Sequence, residues 1–206
     1  MDKYDIKKAH RELYAPPSKE FTVVEVPELR YLAVDGRGDP NTSAAYANAV
    51  EALYGVAYAL KFASKSTLGR DFVVGPLEGL WRADDPSVFV TRHKEGWEWT
   101  MMISQPDWLT EEMVEAAIDA VARKRGENAA LGKLRLFSLA EGTCVQILHI
   151  GSYDDETPTL ERLHHRYLPD NGLAFNGDHH EIYLSDARRT APARLKTILR
   201  QPVKAA

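Results

Sequence analysis

The segment Gln146-Ile-Leu-His-Ile-Gly151 and, one amphipathic stretch later, the segment His179-His-Glu181-Ile-Tyr183 decide the fold. Both have the length and apolar content of strands, and the residues between them have helical spacing, so they predict a β-α-β arrangement. The first half of the chain repeats this plan with Tyr31-Leu-Ala-Val-Asp-Gly36 and Phe72-Val-Val-Gly-Pro-Leu-Glu-Gly-Leu-Trp81. Each copy closes on a further apolar segment that ends in Gln-Pro. The chain therefore reads as a degenerate duplication.

The periodicity predicts four helices and eight strands. The helices are expected over 3–14, 43–63, 111–125 and 157–167, and the strands over 21–26, 29–35, 72–81, 97–104, 134–139, 143–150, 179–185 and 194–201. The first two strands flank Pro27-Glu28 and are expected to form an antiparallel hairpin. We predict an α+β fold of two similar units with pseudo-twofold symmetry, built from antiparallel sheets with helices on one side.

The domain prediction is a single domain over residues 1–206, made of pseudo-repeats at about 3–106 and 110–202. Two loosely joined units are the alternative, but the linker near 104–110 is short and does not have a flexible composition. A groove between two similar units is a natural place for a small ligand. The duplication thus predicts a cleft between the repeats.

The composition narrows the classes of partner and compartment. The 26 basic and 30 acidic residues give a net charge of −4, with no basic run longer than Arg123-Lys-Arg125, so we expect no nucleic-acid surface. The lone Cys144 excludes an intramolecular disulfide and a cysteine-based zinc site. The N-terminal segment is too charged for a signal peptide, and no stretch has the roughly 18 apolar residues of a membrane span. We expect a cytoplasmic protein without membrane contact.

Several motifs, in this order and spacing, resemble the GyrI-like (gyrase-inhibitor-like) small-molecule-binding family over roughly residues 3–202. The resemblance is to its stand-alone branch, which includes cyclopropanoid cyclopropyl hydrolases. The motifs are Tyr4-Asp-Ile-Lys-Lys8, Val34-Asp-Gly36, Gly75-Pro-Leu-Glu-Gly-Leu-Trp81, Trp97-Glu-Trp99 with its continuation to Pro106, His149-Ile-Gly-Ser-Tyr153 and Glu181-Ile-Tyr-Leu184.

The resemblance implies duplicated β-α-β-β (SHS2-type) units. It also implies a hydrophobic, aromatic-lined cleft between them that binds lipophilic aromatic or cationic small molecules without a cofactor. A glutamate at the position of Glu181 meets cationic or polar ligand groups in this family. Some stand-alone members hydrolyse the cyclopropane ring of DNA-alkylating natural products and use an aromatic cage for it. The resemblance therefore predicts a role in xenobiotic detoxification.

Glu181 and Tyr183 are the predicted catalytic residues. Alternation along a strand points both side chains to the same face. A carboxylate among apolar residues costs several kcal/mol if it is buried unpaired, so Glu181 is expected to be paired, protonated, solvated or facing a cleft. An internal salt bridge or plain solvent exposure is the alternative to a role as a cation anchor, a base or a water-positioning group.

The predicted ligand-binding residues are mostly aromatic, because flat apolar faces bind conjugated rings and cations. One strand face is expected to carry Trp97, Trp99, Met101 and Ile103, a pattern that fits a core stripe as well as a cage. Ideal alternation puts Glu78 and Trp81 on opposite faces unless a bulge intervenes. The full set is Tyr54, Trp81, Trp97, Trp99, Tyr153 and Glu78.

The histidine pairs 164–165 and 179–180 do not predict a metal site. Neighbouring residues on a helix or strand point apart, and no His-Glu-x-x-His spacing occurs. Three functions stay open. One is a hydrolase that opens a strained ring, and another is a non-catalytic sink or sensor that uses the same pocket. The third is an inhibitor that binds a macromolecular partner, which the acidic balance permits and no sequence feature supports.

Overall fold

The computed structural model describes residues 3–82 and 96–206, and its internal contacts group the chain into two compact units. The first unit comprises Met1–Ala9 and Leu29–Leu139, and the second comprises His10–Glu28 and Ala140–Ala206. The units therefore interleave along the chain, because His10–Glu28 lies between the two segments of the first unit and belongs to the second. The single domain with repeats at 3–106 and 110–202 stays a prediction.

The sheet of the first unit is antiparallel throughout. Strand β2 (Leu29–Arg37) lies between β4 (Glu98–Gln105) and β5 (Arg135–Leu139). Strand β3 (Leu77–Arg82) pairs with the other edge of β4. The resulting order is β3-β4-β2-β5.

Helix α1 (Ile6–Ala9) opens this unit, and two longer helices follow later in the chain. Helix α3 (Ala44–Ala63) is capped by the Ser43 side chain, and α4 (Glu111–Arg125) by Thr110. The predicted helices over 43–63 and 111–125 are thus confirmed. Helix α3 packs on β2, on β4 and on α4, so both helices lie on one side of the sheet of this unit.

The second unit has the same strand order. Strand β6 (Gly142–Ile150) lies between β1 (Thr22–Val26) and β9 (Lys196–Ala205). Strand β8 (His179–Tyr183) and the short β7 (Leu173–Phe175) both pair with β9. Each unit therefore contains a strand-helix-strand-strand core, to which β5 is added in the first unit and β1 and β7 are added in the second. This arrangement confirms the duplicated α+β fold.

The helices of the second unit begin with α2 (Arg11–Tyr14) and continue with α5 (Thr157–Arg162). A wide helical turn over Leu163–Tyr167 then joins α5 to α6 (Leu168–Asp170). Leu163 and Leu168 of this segment form a core cluster with Val145 of β6 and Val203 of β9. The predicted helix over 157–167 packs on its sheet through these contacts.

The predicted hairpin of strands 21–26 and 29–35 is wrong. Both strands exist, but β1 pairs with β6 of its own unit, and β2 pairs with β4 and β5. A two-residue hairpin needs residues that tolerate positive φ, and Pro27-Glu28 supplies none. The connection therefore leads the chain from the second unit to the first.

Two further boundaries differ from the predictions. The strand expected from residue 72 begins at Leu77, because Phe72 makes only an isolated bridge to Tyr4 and Gly75-Pro76 interrupts the segment. The helix expected over 3–14 is two short helices, α1 and α2. No helix in the described ranges is long and apolar enough to cross a membrane.

Candidate functional site

The strand β8 presents three polar side chains to the helix-covered face of its sheet. His179, Glu181 and Tyr183 share one face by alternation, and Tyr183 lies directly opposite Thr197 of β9. Val203 has the same parity as Thr197 on β9, and it packs against the helical segment of this unit. The three side chains therefore point toward the layer of α5.

Glu181 is the centre of this group. Its Oε2 accepts a hydrogen bond of 2.6 Å from the Tyr183 hydroxyl, and its Oε1 lies 3.5 Å from Nε2 of His179. The side chain is only 15% exposed. Glu181 is thus neither solvent-facing nor without a partner.

Glu156 is a second carboxyl group in the same region, and the sequence reasoning missed it. It ends a one-turn 3-10 helix (Tyr153–Glu156), it is 4% exposed, and its Oε1 has no hydrogen-bond partner within the described residues. Burial, followed by the nearby charge of Glu181, raises the pKa of Glu156 to about 10, although a hydrogen bond from Thr197 opposes this. Glu156 is therefore a carboxylic acid at neutral pH.

The turn that carries Glu156 is fixed by a capping box. The hydroxyl and the backbone N–H of Ser152 both donate to Oδ2 of Asp155, at 2.7 and 3.2 Å. These hydrogen bonds lower the pKa of Asp155. In the sequence, Asp154-Asp155-Glu156 is typical of the acidic first turn of a helix, where negative side chains interact favourably with the helix dipole. Only the tertiary structure separates the buried third member from the other two.

Tyr153 opens the same turn and contacts Tyr183 edge to face, with ring centroids 5.8 Å apart. Burial, followed by the charges of Glu156 and Glu181, raises the pKa of Tyr153 to about 12. Its hydroxyl therefore stays protonated and can donate a hydrogen bond. The structure thus brings Tyr153, Glu181 and Tyr183 together, and Glu156 joins them.

The opposite face of β8 and β9 carries a different charge network. His180 Nδ1 lies 3.0 Å from Glu141 Oε1, and Arg200 Nη1 donates to Oε2 of Glu141 at 3.2 Å. Burial alone would raise the pKa of Glu141, but His180 and Arg200 lower it to about 2. Arg200 also donates to the carbonyl of Leu13 at 2.8 Å. This network ties α2 to the sheet of its own unit.

In the first unit, Trp81 and Trp99 lie directly opposite each other on β3 and β4. Trp99 is almost completely buried, covers Gly36, and donates from Nε1 to the Gly38 carbonyl at 3.3 Å. The ring of Tyr46 on α3 lies 5.3 Å from that of Trp99. Trp99 therefore belongs to the core beneath α3.

Trp81 lies at the edge of the same aromatic cluster. Its ring is 5.6 Å from Trp97 and 6.5 Å from Tyr46. The register of β3 with β4 is continuous from Leu77 to Arg82, so Glu78 and Trp81 lie on opposite faces. Glu78 is fully buried on its face. The structure therefore does not bring these two predicted residues together, and Tyr54 lies half-buried on α3.

Across the described ranges, no group of three or more histidine, cysteine, aspartate or glutamate side chains is arranged to hold a metal ion. Cys144 is buried, and burial followed by the charge of Glu141 raises the pKa of its thiol to about 12. The chemistry available to the site is therefore that of carboxyl, phenol and imidazole groups.

The family model of the GyrI-like small molecule binding domain matches residues 19–204. The chain belongs to the GyrI-like family. The resemblance inferred from the motifs is thereby confirmed, and this GyrI-like chain is a small-molecule-binding domain.

Solved structures share this fold. The chain is 37% identical to a hydrolase from Listeria innocua, with a TM-score of 0.84. The match covers 98% of this chain and 100% of the hydrolase. An uncharacterized conserved protein from Listeria innocua has the same identity and coverage, with a TM-score of 0.89. The C-terminal domain of EcmrR shares the fold at 13% identity, with a TM-score of 0.58 and coverage of 91% and 98%. No curated protein matches the chain.

Proposed function

We propose that this GyrI-like protein hydrolyses the strained cyclopropane ring of lipophilic, DNA-alkylating small molecules and so detoxifies them. The observation that carries the proposal is the pairing of a protonated Glu156 with Glu181 in one buried site. A carboxyl group that keeps its proton beside a second carboxyl group is a usual pairing of an acid and a base. The 37% identity to a protein described as a hydrolase supports the same reaction class.

The proposed reaction is the addition of water to a ring conjugated with a carbonyl group. Glu181 accepts a proton from the water as its oxygen bonds to the ring carbon. The carbon–carbon bond of the cyclopropane breaks, and its electron pair moves through the conjugated system to the carbonyl oxygen. Glu156 gives its proton to that oxygen. One proton has entered the pair and one has left it, so proton exchange between the two carboxyl groups restores the starting state.

Tyr183 and Tyr153 have supporting roles in this scheme. The Tyr183 hydroxyl holds Oε2 of Glu181 in place, which leaves Oε1 for the water. Tyr153 stays a phenol and can donate a hydrogen bond to the oxygen that gains charge. Because the ring is strained, orientation and acid–base help together can supply the acceleration.

The test is a turnover assay with a tenfold excess of a cyclopropane-bearing alkylating compound. We expect ring-opened alcohol well beyond one equivalent, detected by mass spectrometry. Glu181→Gln and Glu156→Gln should each reduce turnover by about 10²–10⁴-fold. Glu161→Gln changes an exposed glutamate of α5 and should leave turnover unchanged. Wild-type protein that leaves the compound intact would refute the reaction.

A non-catalytic sink or sensor is the second candidate. The Glu181 carboxylate lies beside the paired rings of Tyr153 and Tyr183, a combination that suits a lipophilic cation. Stoichiometric binding without product would favour this function. Trp81, Trp97, Trp99, Tyr54 and Glu78 stay predictions for ligand contacts. Loss of affinity on substituting them, read by tryptophan fluorescence, tests their roles.

A further inference from the structure

The two carboxylate oxygens of Glu181 have different surroundings. Oε2 is occupied by the Tyr183 hydroxyl, whereas Oε1 faces Nε2 of His179 at 3.5 Å. A direct N–H···O hydrogen bond is shorter, at about 2.7–3.2 Å. Because an ionised carboxylate oxygen has two lone pairs, Oε1 has the capacity to bind a further group beside His179.

His179 has the same unmet capacity. Both of its ring nitrogens are buried, and neither has a hydrogen-bond partner in the part of the chain that the structure describes. A buried polar nitrogen without a partner costs free energy. A small molecule that hydrogen-bonds to Nε2 and Oε1 together would satisfy both groups, and a distance of 3.5 Å between two acceptors allows one water to reach both.

We propose that His179 is a catalytic residue that holds the attacking water jointly with Glu181. The inference rests on the hydrolysis proposed above. The water donates one hydrogen to Oε1 and the other to Nε2 of an imidazole that carries its own proton on Nδ1. Its oxygen lone pairs then face away from both acceptors and toward the electrophile.

The atoms of the step balance. As the carbon–oxygen bond forms and the ring carbon–carbon bond breaks, the water hydrogen that is donated to Oε1 passes to Glu181. The water hydrogen that is donated to His179 Nε2 stays on the water oxygen and becomes the hydrogen of the product hydroxyl. Glu156 supplies the proton for the carbonyl oxygen. His179 thus orients the nucleophile without changing its own protonation state.

Several titratable groups face His179. On its own strand it faces Glu181, and the helical turn over Leu163–Tyr167 adds His164 and His165. The His164 ring packs on Phe175 of β7 at 4.9 Å. Burial, followed by His179 and His165, lowers the pKa of His164 to about 4. His164 is therefore uncharged at neutral pH.

The kinetic test uses two variants with different capacities to accept a hydrogen bond. His179→Phe keeps a flat ring but removes the acceptor, and His179→Gln restores an acceptor oxygen. We expect kcat to fall about 100-fold in His179→Phe, with KM within about threefold, and His179→Gln to recover at least about tenfold of the loss. His165→Phe makes the same change at an exposed neighbour and should have no effect.

The outcomes separate the two proposals. Normal wild-type turnover with an unaffected His179→Phe variant would overturn the role of His179 alone. Wild-type protein without any turnover would overturn the hydrolysis and the role of His179 with it. A high-resolution crystal structure gives a second measurement if a variant fails to fold. It should show a water within hydrogen-bond distance of both His179 Nε2 and Glu181 Oε1, and wild-type crystals without that water would contradict the proposal.

Discussion

Replacing Glu156 by glutamine should stabilise the protein, and the gain should grow with pH. An unfolded glutamate ionises near pH 4.5, whereas burial and the charge of Glu181 raise the pKa of Glu156 to about 10 in the folded state. Between these values the unfolded chain loses a proton that the folded chain keeps. The contribution of Glu156 to stability is therefore fully present below pH 4.5 and is lost as the pH rises toward 10.

The size of the effect follows from the linkage relation. Neutral pH lies about 2.5 pH units above 4.5, and each unit is worth about 1.4 kcal/mol. Folding at pH 7 is thus less favourable by about 3 kcal/mol than it is with both states protonated. Glutamine resembles the protonated side chain in shape and does not titrate. We expect Glu156→Gln to raise the free energy of unfolding by about 3 kcal/mol at pH 7 and by almost nothing at pH 4.

Urea unfolding of both proteins at a series of pH values from 4 to 9 measures this difference. Glu161→Gln is the matched control, because this exposed glutamate should give a flat difference close to zero. A flat difference for Glu156→Gln, or a loss of stability that grows with pH, would refute a buried, protonated Glu156. Stabilisation accompanied by lost turnover is the pattern expected of a residue kept for function.

Three further predictions concern the framework. Gly36→Ala should destabilise the protein by about 1–3 kcal/mol, because its new Cβ would meet a buried indole at 2.0 Å; Gly132→Ala, with open space around it, should not change the unfolding temperature. Arg200→Leu should cost about 3–5 kcal/mol in urea unfolding, since it leaves the buried charge of Glu141 with one partner fewer; an unchanged midpoint would contradict that account. The thiol of Cys144 should resist alkylation in the folded protein and react once urea unfolds it, because it is buried with a pKa of about 12; rapid labelling of the native state would show otherwise.

The sequence by itself determined the two long helices and most strands, because their signals are local. Polar residues at the caps and apolar residues at helical spacing fixed α3 and α4 almost to the residue. Alternation along β8 also placed Glu181 and Tyr183 on one face, where their side chains are hydrogen-bonded. The order and spacing of the motifs were sufficient for the family.

Tertiary structure alone decided the strand pairing and the protonation state of Glu156. The predicted hairpin was wrong because the pairing of a strand is not set by its neighbours in sequence. Strand β1 pairs with β6, more than 110 residues away. Glu156 looked like one of three acids at a helix start. Its proton depends on burial and on a carboxylate 25 positions later in the chain, and neither quantity is visible until the chain has folded.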